Sequence, residues 1–100
     1  MHRVSKTTSR ATGACIQQLI EQARRDAGGR LGELLERYRR YLWLLANSQI
    51  DSKLRSKISE ADLVQDTMLN AYRDFATFRG QTEKQLVAWL RQILIHRLQS

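Results

Sequence analysis

The sequence predicts an all-α protein, a compact bundle of about four helices. Apolar residues recur at intervals of three and four along most of the chain, which is the periodicity of an amphipathic helix. No stretch alternates between apolar and polar residues as a half-buried strand does, and no proline interrupts the helical pattern. With 42% hydrophobic residues, a chain of 100 residues has enough apolar surface for one small core.

The charge and the cysteine content limit the classes of function. A net charge of +7 favours an anionic partner, with nucleic acid ahead of a membrane surface. Cys15 is the only cysteine, so no disulfide can form within the chain, and the reducing cytoplasm is the expected compartment. No stretch approaches the roughly 18 apolar residues of a membrane span, so no membrane partner is expected.

The domain organisation is one folded unit behind a short tail. Residues 1–14 carry basic and hydroxyl side chains but no acid and little hydrophobicity, so we expect a flexible basic tail and assign it no site. Residues 15–100 form the predicted helical domain. An acid-free basic start is also typical of a transit peptide, which is the less favoured interpretation.

Two helices are predicted in the first half of the domain. The first covers residues 16–27, and the pair Gly28 and Gly29 is expected to end it. The second covers residues 31–46, and its C-terminal half is apolar on nearly all sides because Trp43 and Leu44 widen the stripe. Such a helix is either central to the core or covered by a partner.

The third helix is predicted to begin at Ser59, after a polar connection over residues 47–58. The spacing from Ser59 to Asp62 is that of a helix cap and an acid at the third helical position. Polar residues share the face opposite the core: Asp62, Gln65, Asp66, Asn70 and Arg73. This face is either a solvated surface or a docking surface whose carboxylates accept hydrogen bonds from arginines.

The last helix is predicted to begin at Thr82, with Gln85 completing a second capping-box spacing. In the loop before it, Gly80 allows a tight turn beside Arg79 and Gln81, next to a helix N-terminus that suits an anion or a nucleotide. Ten side chains are predicted to form one core: Leu35, Tyr38, Leu42, Val64, Met68, Tyr72, Phe75, Leu86, Leu90 and Ile93.

The sign of the charge changes between these last two helices. Four acids stand against one arginine over residues 60–74, whereas four basic residues stand against one acid over residues 79–97. An acidic surface and a basic surface on one small domain indicate two different partners.

Residues 33–98 resemble the second conserved region of bacterial sigma factors, and specifically the compact extracytoplasmic-function group. The resemblance rests on three motifs in the same order and at the same spacing as in that family. They are LLERYRRYL (34–42), DLVQDTMLNAYRDF (62–75) and FRGQTEKQLVAWLRQIL (78–94). The implied fold is a sigma region-two helical domain, and the implied function is docking on the clamp of core RNA polymerase with capture of the melted minus-ten promoter strand.

The resemblance also implies roles for individual residues. The family's polymerase-docking motif matches Asp62, Leu63, Val64, Gln65 and Asp66, which favours the docking interpretation of the acidic face. The implied DNA-binding residues are Arg79, Gly80, Gln81, Thr82 and Lys84 in the promoter-reading loop, with Arg91, His96 and Arg97 on a duplex-contacting helix. The implied partners are core RNA polymerase and promoter DNA, mainly its melted non-template strand, and an anti-sigma factor is a further candidate.

Two positions and one domain depart from the family pattern. Family members often carry Asn where His96 stands and Asp where Ser100 stands. The family's second domain, a helix-turn-helix that reads the minus-thirty-five element, has no counterpart here, so the chain is expected to correspond to an N-terminal domain.

Two other classes of function remain open, and an enzyme ranks last. A helical repressor would bind duplex DNA alone through a groove-entering helix, and an adaptor would use the apolar second helix as its interface. His2, Cys15 and His96 show no metal-binding spacing, and no nucleophile and base can be paired from the sequence. We therefore expect no cofactor, no metal and no catalytic residue.

Overall fold

A computed structural model describes residues 16–25, 27–50 and 58–99, and all regular structure in these ranges is helical. The helices are α1 (16–25), α2 (Ala27–Glu36), α3 (Arg39–Gln49), α4 (Glu60–Asp74) and α5 (Glu83–Gln99). A 3₁₀ turn, Phe75–Thr77, follows α4. The all-α class is confirmed. The tail predicted over residues 1–14 lies outside the described residues.

Helix α4 is the centre of the bundle, because it packs against α2, α3 and α5. Its buried side is broad and consists of Leu63, Val64, Thr67, Met68 and Ala71. Helix α1 adds Ile16, Ile20 and Ala23 to the same core, and α5 adds Leu86, Leu90 and Leu94. One contiguous core therefore positions both the acidic face of α4 and the start of α5.

The predicted boundary between the first two helices was wrong. Gly28 and Gly29 do not end a helix, because α2 begins at Ala27 and includes them in its first turn. The amide groups of a first turn have no partner within the helix, so a glycine pair is compatible with that position as well as with a helix end.

The single helix predicted over residues 31–46 is two helices, α2 and α3, separated at Arg37 and Tyr38. The amides of Arg37 and Tyr38 donate to carbonyls three residues back, on Leu34 at 3.2 Å and Leu35 at 3.0 Å. This tight bonding ends α2, and the Tyr38 backbone (φ −107°, ψ 5°) leaves the helical conformation before α3 begins. Five described helices therefore replace the predicted four.

Eight of the ten predicted core side chains are buried, namely Leu35, Tyr38, Leu42, Val64, Met68, Phe75, Leu86 and Leu90. Ile93 is only partly buried against that core. Tyr72 is 46% exposed, so its place in the predicted core was wrong. The buried stripe of α4 passes from Ala71 to Phe75 in the 3₁₀ turn, which leaves Tyr72 at the edge of a surface cleft.

Candidate functional site

The loop over residues 78–82, between the 3₁₀ turn and α5, is held from α5 by a reciprocal cap. Thr82 Oγ1 accepts a hydrogen bond from the amide of Gln85, with 3.2 Å between oxygen and nitrogen. Gln85 Oε1 accepts from the amides of Gln81 at 2.8 Å and Thr82 at 3.2 Å. The predicted capping box is confirmed, and it satisfies amides that the helix itself leaves unpaired.

The same loop is held from α1 by Arg24, which sequence reasoning did not identify. Arg24 Nη2 donates to the carbonyl oxygen of Phe78 at 3.0 Å and to that of Gly80 at 2.5 Å. The guanidinium carbon lies 5.4 Å from the ring centroid of Phe78 and 5.9 Å from that of Phe75, which is cation–π range. The contacts span more than fifty residues of sequence, so no local pattern indicates them.

Gly80 is required by the crowding of this loop. A Cβ atom at Gly80 would lie 2.6 Å from Cζ of Phe78 and 2.7 Å from Cβ of Gln85. Neither neighbour can yield easily, because Phe78 is buried and Gln85 belongs to the first turn of α5. The chain therefore passes between a ring and a helix where only glycine fits.

An aromatic cluster lies beneath the loop. The ring centroid of Phe78 is 5.0 Å from that of Trp89 and 5.7 Å from that of Phe75. Phe75 and Trp89 meet edge to face at 6.0 Å. Such contacts stabilise beyond simple burial, so the loop stands on a rigid apolar base.

The functional groups predicted for this loop differ in exposure. Arg79, Gln81 and Lys84 are exposed, whereas Thr82 is half-buried in its capping role. Arg79 lines a cleft of about 400 Å³, together with Arg24, Tyr72 and Arg73 from other elements. Gln81, Thr82 and Lys84 do not line it, so this cleft does not bring together the DNA-binding side chains predicted for the loop.

The second half of α5 presents the other predicted DNA contacts. Arg91, His96 and Arg97 are all exposed. A cleft of about 340 Å³ is lined by His96 and Arg97 of α5 and by Asn70 and Arg73 of α4. This part of the surface lies towards the C-terminal end of α5, whose N-terminal end follows the loop.

The acidic face of α4 is only partly the surface that the sequence predicted. Ser59 Oγ accepts from the amide of Asp62 at 3.1 Å, which confirms the predicted start of α4. Asp62 and Gln65 are exposed on one face, but Leu63 and Val64 between them are buried. The two apolar residues therefore pack into the core and hold the acidic face in place, but they are not accessible to a partner.

Asp66, which the sequence places on a surface for a partner's arginines, is already paired with an arginine of this chain. Its Oδ2 accepts from Arg97 Nη2 of α5, with 2.8 Å between the atoms. The reason is the close packing of α4 on α5, which brings the acidic face beside the basic end of α5. Polymerase-docking and DNA-binding candidates thus meet at one ion pair.

A hydrogen bond between Tyr38 and Glu83 was also missed. The Tyr38 hydroxyl donates to Glu83 Oε2 at 3.0 Å, joining the break between α2 and α3 to the first turn of α5. Burial is the larger cause that raises the pKa of Tyr38 above its ordinary value, and the hydrogen bond to the Glu83 carboxylate is the second. The bond helps to fix the start of α5, next to the loop.

Within the described ranges, no three or more His, Cys, Asp or Glu residues are grouped so that they could hold a metal ion. In the same part of the chain, no helix combines the length and the apolar character needed to cross a membrane.

Comparison with known proteins identifies one family. Residues 34–100 match the family model described as sigma-70 region 2. The match begins within α2 and includes the acidic face, the loop and α5, whereas α1 lies outside it. Comparison with curated proteins and with solved structures finds no match for the chain.

Proposed function

Since the chain belongs to the sigma-70 region 2 family, whose domains bind RNA polymerase and recognise the minus-ten promoter element, we propose that it uses two separate surfaces for these tasks. The acidic face of α4 docks on the clamp of core polymerase, and the loop over residues 78–82 with α5 meets promoter DNA. The observation that carries the proposal is the single match over residues 34–100, which includes both surfaces.

The docking role is supported by the exposure and rigidity of α4. Asp62 and Gln65 present a carboxylate and an amide on one face, while buried Leu63 and Val64 hold that face against the core. Carboxylates and amides in this arrangement suit arginines on a partner, and charge-assisted hydrogen bonds are about twice as strong as neutral ones. Asp66 joins this surface when it exchanges Arg97 for a polymerase arginine.

The promoter role is supported by a basic loop with a fixed backbone. Arg79 and Gln81 project from a segment whose backbone is held by Arg24 and by Gln85, and Lys84 follows in the first turn of α5. A base displaced in a melted bubble is cheaper to capture than a paired one, so a small loop can select sequence without entering a duplex groove. Basic side chains along α5 neutralise backbone phosphates of the melted strand.

The finer parts of the proposal follow from the family resemblance. They are membership of the extracytoplasmic-function group, capture of the melted non-template strand, and action in the cytoplasm with RNA polymerase. An anti-sigma factor that covers the domain stays a prediction.

The test is capture of purified core RNA polymerase by the immobilised chain. The wild-type chain should retain polymerase, and Asp62→Asn or Gln65→Ala should weaken binding by about 1–3 kcal/mol, the range for charge-assisted hydrogen bonds. Glu33→Gln is the matched control, because it removes one exposed acid from α2, a helix that does not contribute to the proposed surface. Equal binding by all four chains would contradict the docking surface.

A second measurement separates this proposal from a repressor. Binding of a single-stranded and a double-stranded fluorescent oligonucleotide is compared with and without core polymerase. The proposal expects weak binding by the chain alone and firm, single-strand-selective binding with polymerase. Strong duplex binding by the chain alone indicates a repressor, and firm capture of polymerase without any DNA binding indicates an adaptor.

A further inference from the structure

Arg24 connects a helix outside the family match to the loop that we assign to promoter recognition. The match begins at residue 34, whereas Arg24 lies in α1, over residues 16–25. Arg24 nevertheless bonds two carbonyls of the loop, on Phe78 and Gly80. The family-defining residues are therefore not the whole of the structure that supports the loop.

Two side chains from separate helices bond to the backbone of the loop, one accepting from its amides and the other donating to its carbonyls. Gln85 accepts from the amides of Gln81 and Thr82, and Arg24 donates to the carbonyls of Phe78 and Gly80. Neither partner is a neighbour in a helix ladder, so the shape of the loop depends on these two side chains. Four backbone groups of the loop are therefore occupied, while the side chains of Arg79 and Gln81 are exposed and can meet a ligand.

The chemistry of arginine suits this position better than that of lysine. One Arg24 nitrogen reaches both carbonyls while the planar guanidinium lies within 6 Å of two ring centroids, on Phe75 and Phe78. A lysine ammonium keeps the charge and can donate hydrogen bonds, but it has no planar group to lie against the rings. Arg24 thus ties the loop carbonyls to the aromatic base beneath them.

We propose that Arg24 is a positioning residue for promoter recognition, one that fixes the 78–82 loop so that Arg79 and Gln81 meet a displaced base in a single orientation. The inference rests on the proposed function, because it assumes that this loop reads the promoter. Without Arg24, the two carbonyls turn to water and the loop gains conformations, so the difference in affinity between a preferred and a wrong base falls.

The experiment uses core RNA polymerase with the full chain and a single-stranded DNA pool of randomised sequence. The wild-type complex first selects a preferred sequence from the pool. Affinities are then measured for that sequence and for its single-base variants, with wild type, Arg24→Gln, Arg24→Lys and Arg25→Gln. Arg25 is the matched control, because its exposed guanidinium pairs with Glu21 on the same helix and does not hold the loop.

The expected result is a loss of discrimination in Arg24→Gln by about threefold to tenfold, the range for one intramolecular hydrogen bond. Arg24→Lys should retain part of the discrimination between the preferred sequence and its single-base variants. Arg25→Gln should weaken all sequences by one common factor, because it removes charge without freeing the loop. Amide hydrogen exchange at Gln81 and Thr82 should quicken in Arg24→Gln, with exchange at Leu90 in the middle of α5 unchanged.

Three outcomes would overturn the inference. Unchanged discrimination in Arg24→Gln, or a uniform loss equal to that of Arg25→Gln, would reduce Arg24 to a surface charge. If Arg24→Gln unfolds the domain, discrimination in the folded Arg24→Lys variant decides, and a wild-type value there refutes the positioning role. If the wild-type complex fails to capture polymerase or selects no sequence, the proposed function has failed and this inference falls with it.

Discussion

Asp66 of α4 and Arg97 of α5 form an ion pair, with Asp66 Oδ2 and Arg97 Nη2 2.8 Å apart. One residue belongs to the surface proposed for polymerase and the other to the helix proposed for DNA. Their side chains are 40% and 43% exposed, so the pair contributes at most about 1 kcal/mol to folding. It therefore leaves Asp66 able to change partners when polymerase binds.

Loss of the Arg97 side chain should consequently strengthen polymerase binding. Arg97→Gln removes the group that competes for Asp66, so affinity should rise by up to about fivefold, the equivalent of an exposed ion pair. Fluorescence anisotropy with core polymerase measures the change. In an Asp66→Asn background the same substitution should have no effect, and a rise or fall of equal size in both backgrounds would contradict the competition.

The hydrogen bond from Tyr38 to Glu83 predicts a pH dependence of stability. The pKa of Tyr38 is raised in the folded state, so the folded protein binds the phenol proton more tightly than the unfolded chain does. The stabilisation is fully present below the ordinary tyrosine pKa of about 10 and is lost as the pH rises above it. Tyr38→Phe should lower the free energy of unfolding by about 1 kcal/mol at neutral pH. Its free energy of unfolding should then fall less steeply with rising alkaline pH than that of the wild type.

Urea denaturation from neutral to alkaline pH measures both effects. Tyr41→Phe is the matched control, because it makes the same chemical change at a partly buried tyrosine of α3, the helix that follows the break. An alkaline decline that is equally steep in the Tyr38 and Tyr41 variants would show that the Tyr38 phenol does not govern it.

The capping box at the start of α5 should stabilise the domain measurably. Thr82→Ala and Gln85→Ala should each lower the free energy of unfolding by about 1 kcal/mol, because each leaves an amide of the loop or the first turn without its partner. Thr82→Ser is the control, since serine retains a hydroxyl that can cap. If Thr82→Ser loses as much as Thr82→Ala, the methyl group and not the cap accounts for the effect.

Thr67 offers a stabilising substitution. It is fully buried on α4, and its hydroxyl has no hydrogen-bond partner within the described residues. A buried hydroxyl without a partner is destabilising, so Thr67→Val should raise the free energy of unfolding by about 1 kcal/mol. Thr77→Val is the matched control, because the exposed Thr77 hydroxyl donates to the carbonyl of Asp74 at 2.7 Å. A loss of stability in Thr67→Val would show that the hydroxyl has a partner in the folded protein.

Sequence reasoning succeeded where the determinants are local. The caps at Ser59 and Thr82 depend on partners three residues away, so spacing alone predicted them correctly. The break at Tyr38 contains no glycine or proline and accompanies a hydrogen bond to Glu83, 45 residues along the chain. Nothing in the neighbouring sequence encodes such a contact.

In the candidate site, too, features set by the local sequence were predicted and contacts between distant residues were not. The exposed positions of Asp62 and Gln65 follow from helical periodicity. The contact of Arg24 with the loop spans 54 and 56 residues, and the pair of Asp66 with Arg97 spans 31. These contacts exist only because tertiary packing brings separate helices together, so periodicity could not reveal them.

Exchange of the loop should transfer promoter preference. Residues 80–84 are replaced by the same loop of a related factor, and polymerase carrying either chain is tested for transcription from the promoters of both. Preference should move with the loop, because the backbone anchors at Arg24 and Gln85 lie outside the exchanged segment and remain in place. The donor loop must keep glycine at position 80, where a side chain would meet Phe78.

Lys84→Gln is the matched control for the exchange. Lys84 is exposed in the first turn of α5 and is expected to contact phosphate, so its loss should weaken both promoters alike and reduce the salt dependence of binding. If the exchanged loop changes only the overall level of transcription from both promoters, as this control is expected to do, base recognition lies elsewhere. A change of preference without a change in salt dependence would instead assign sequence reading to the loop and phosphate contact to α5.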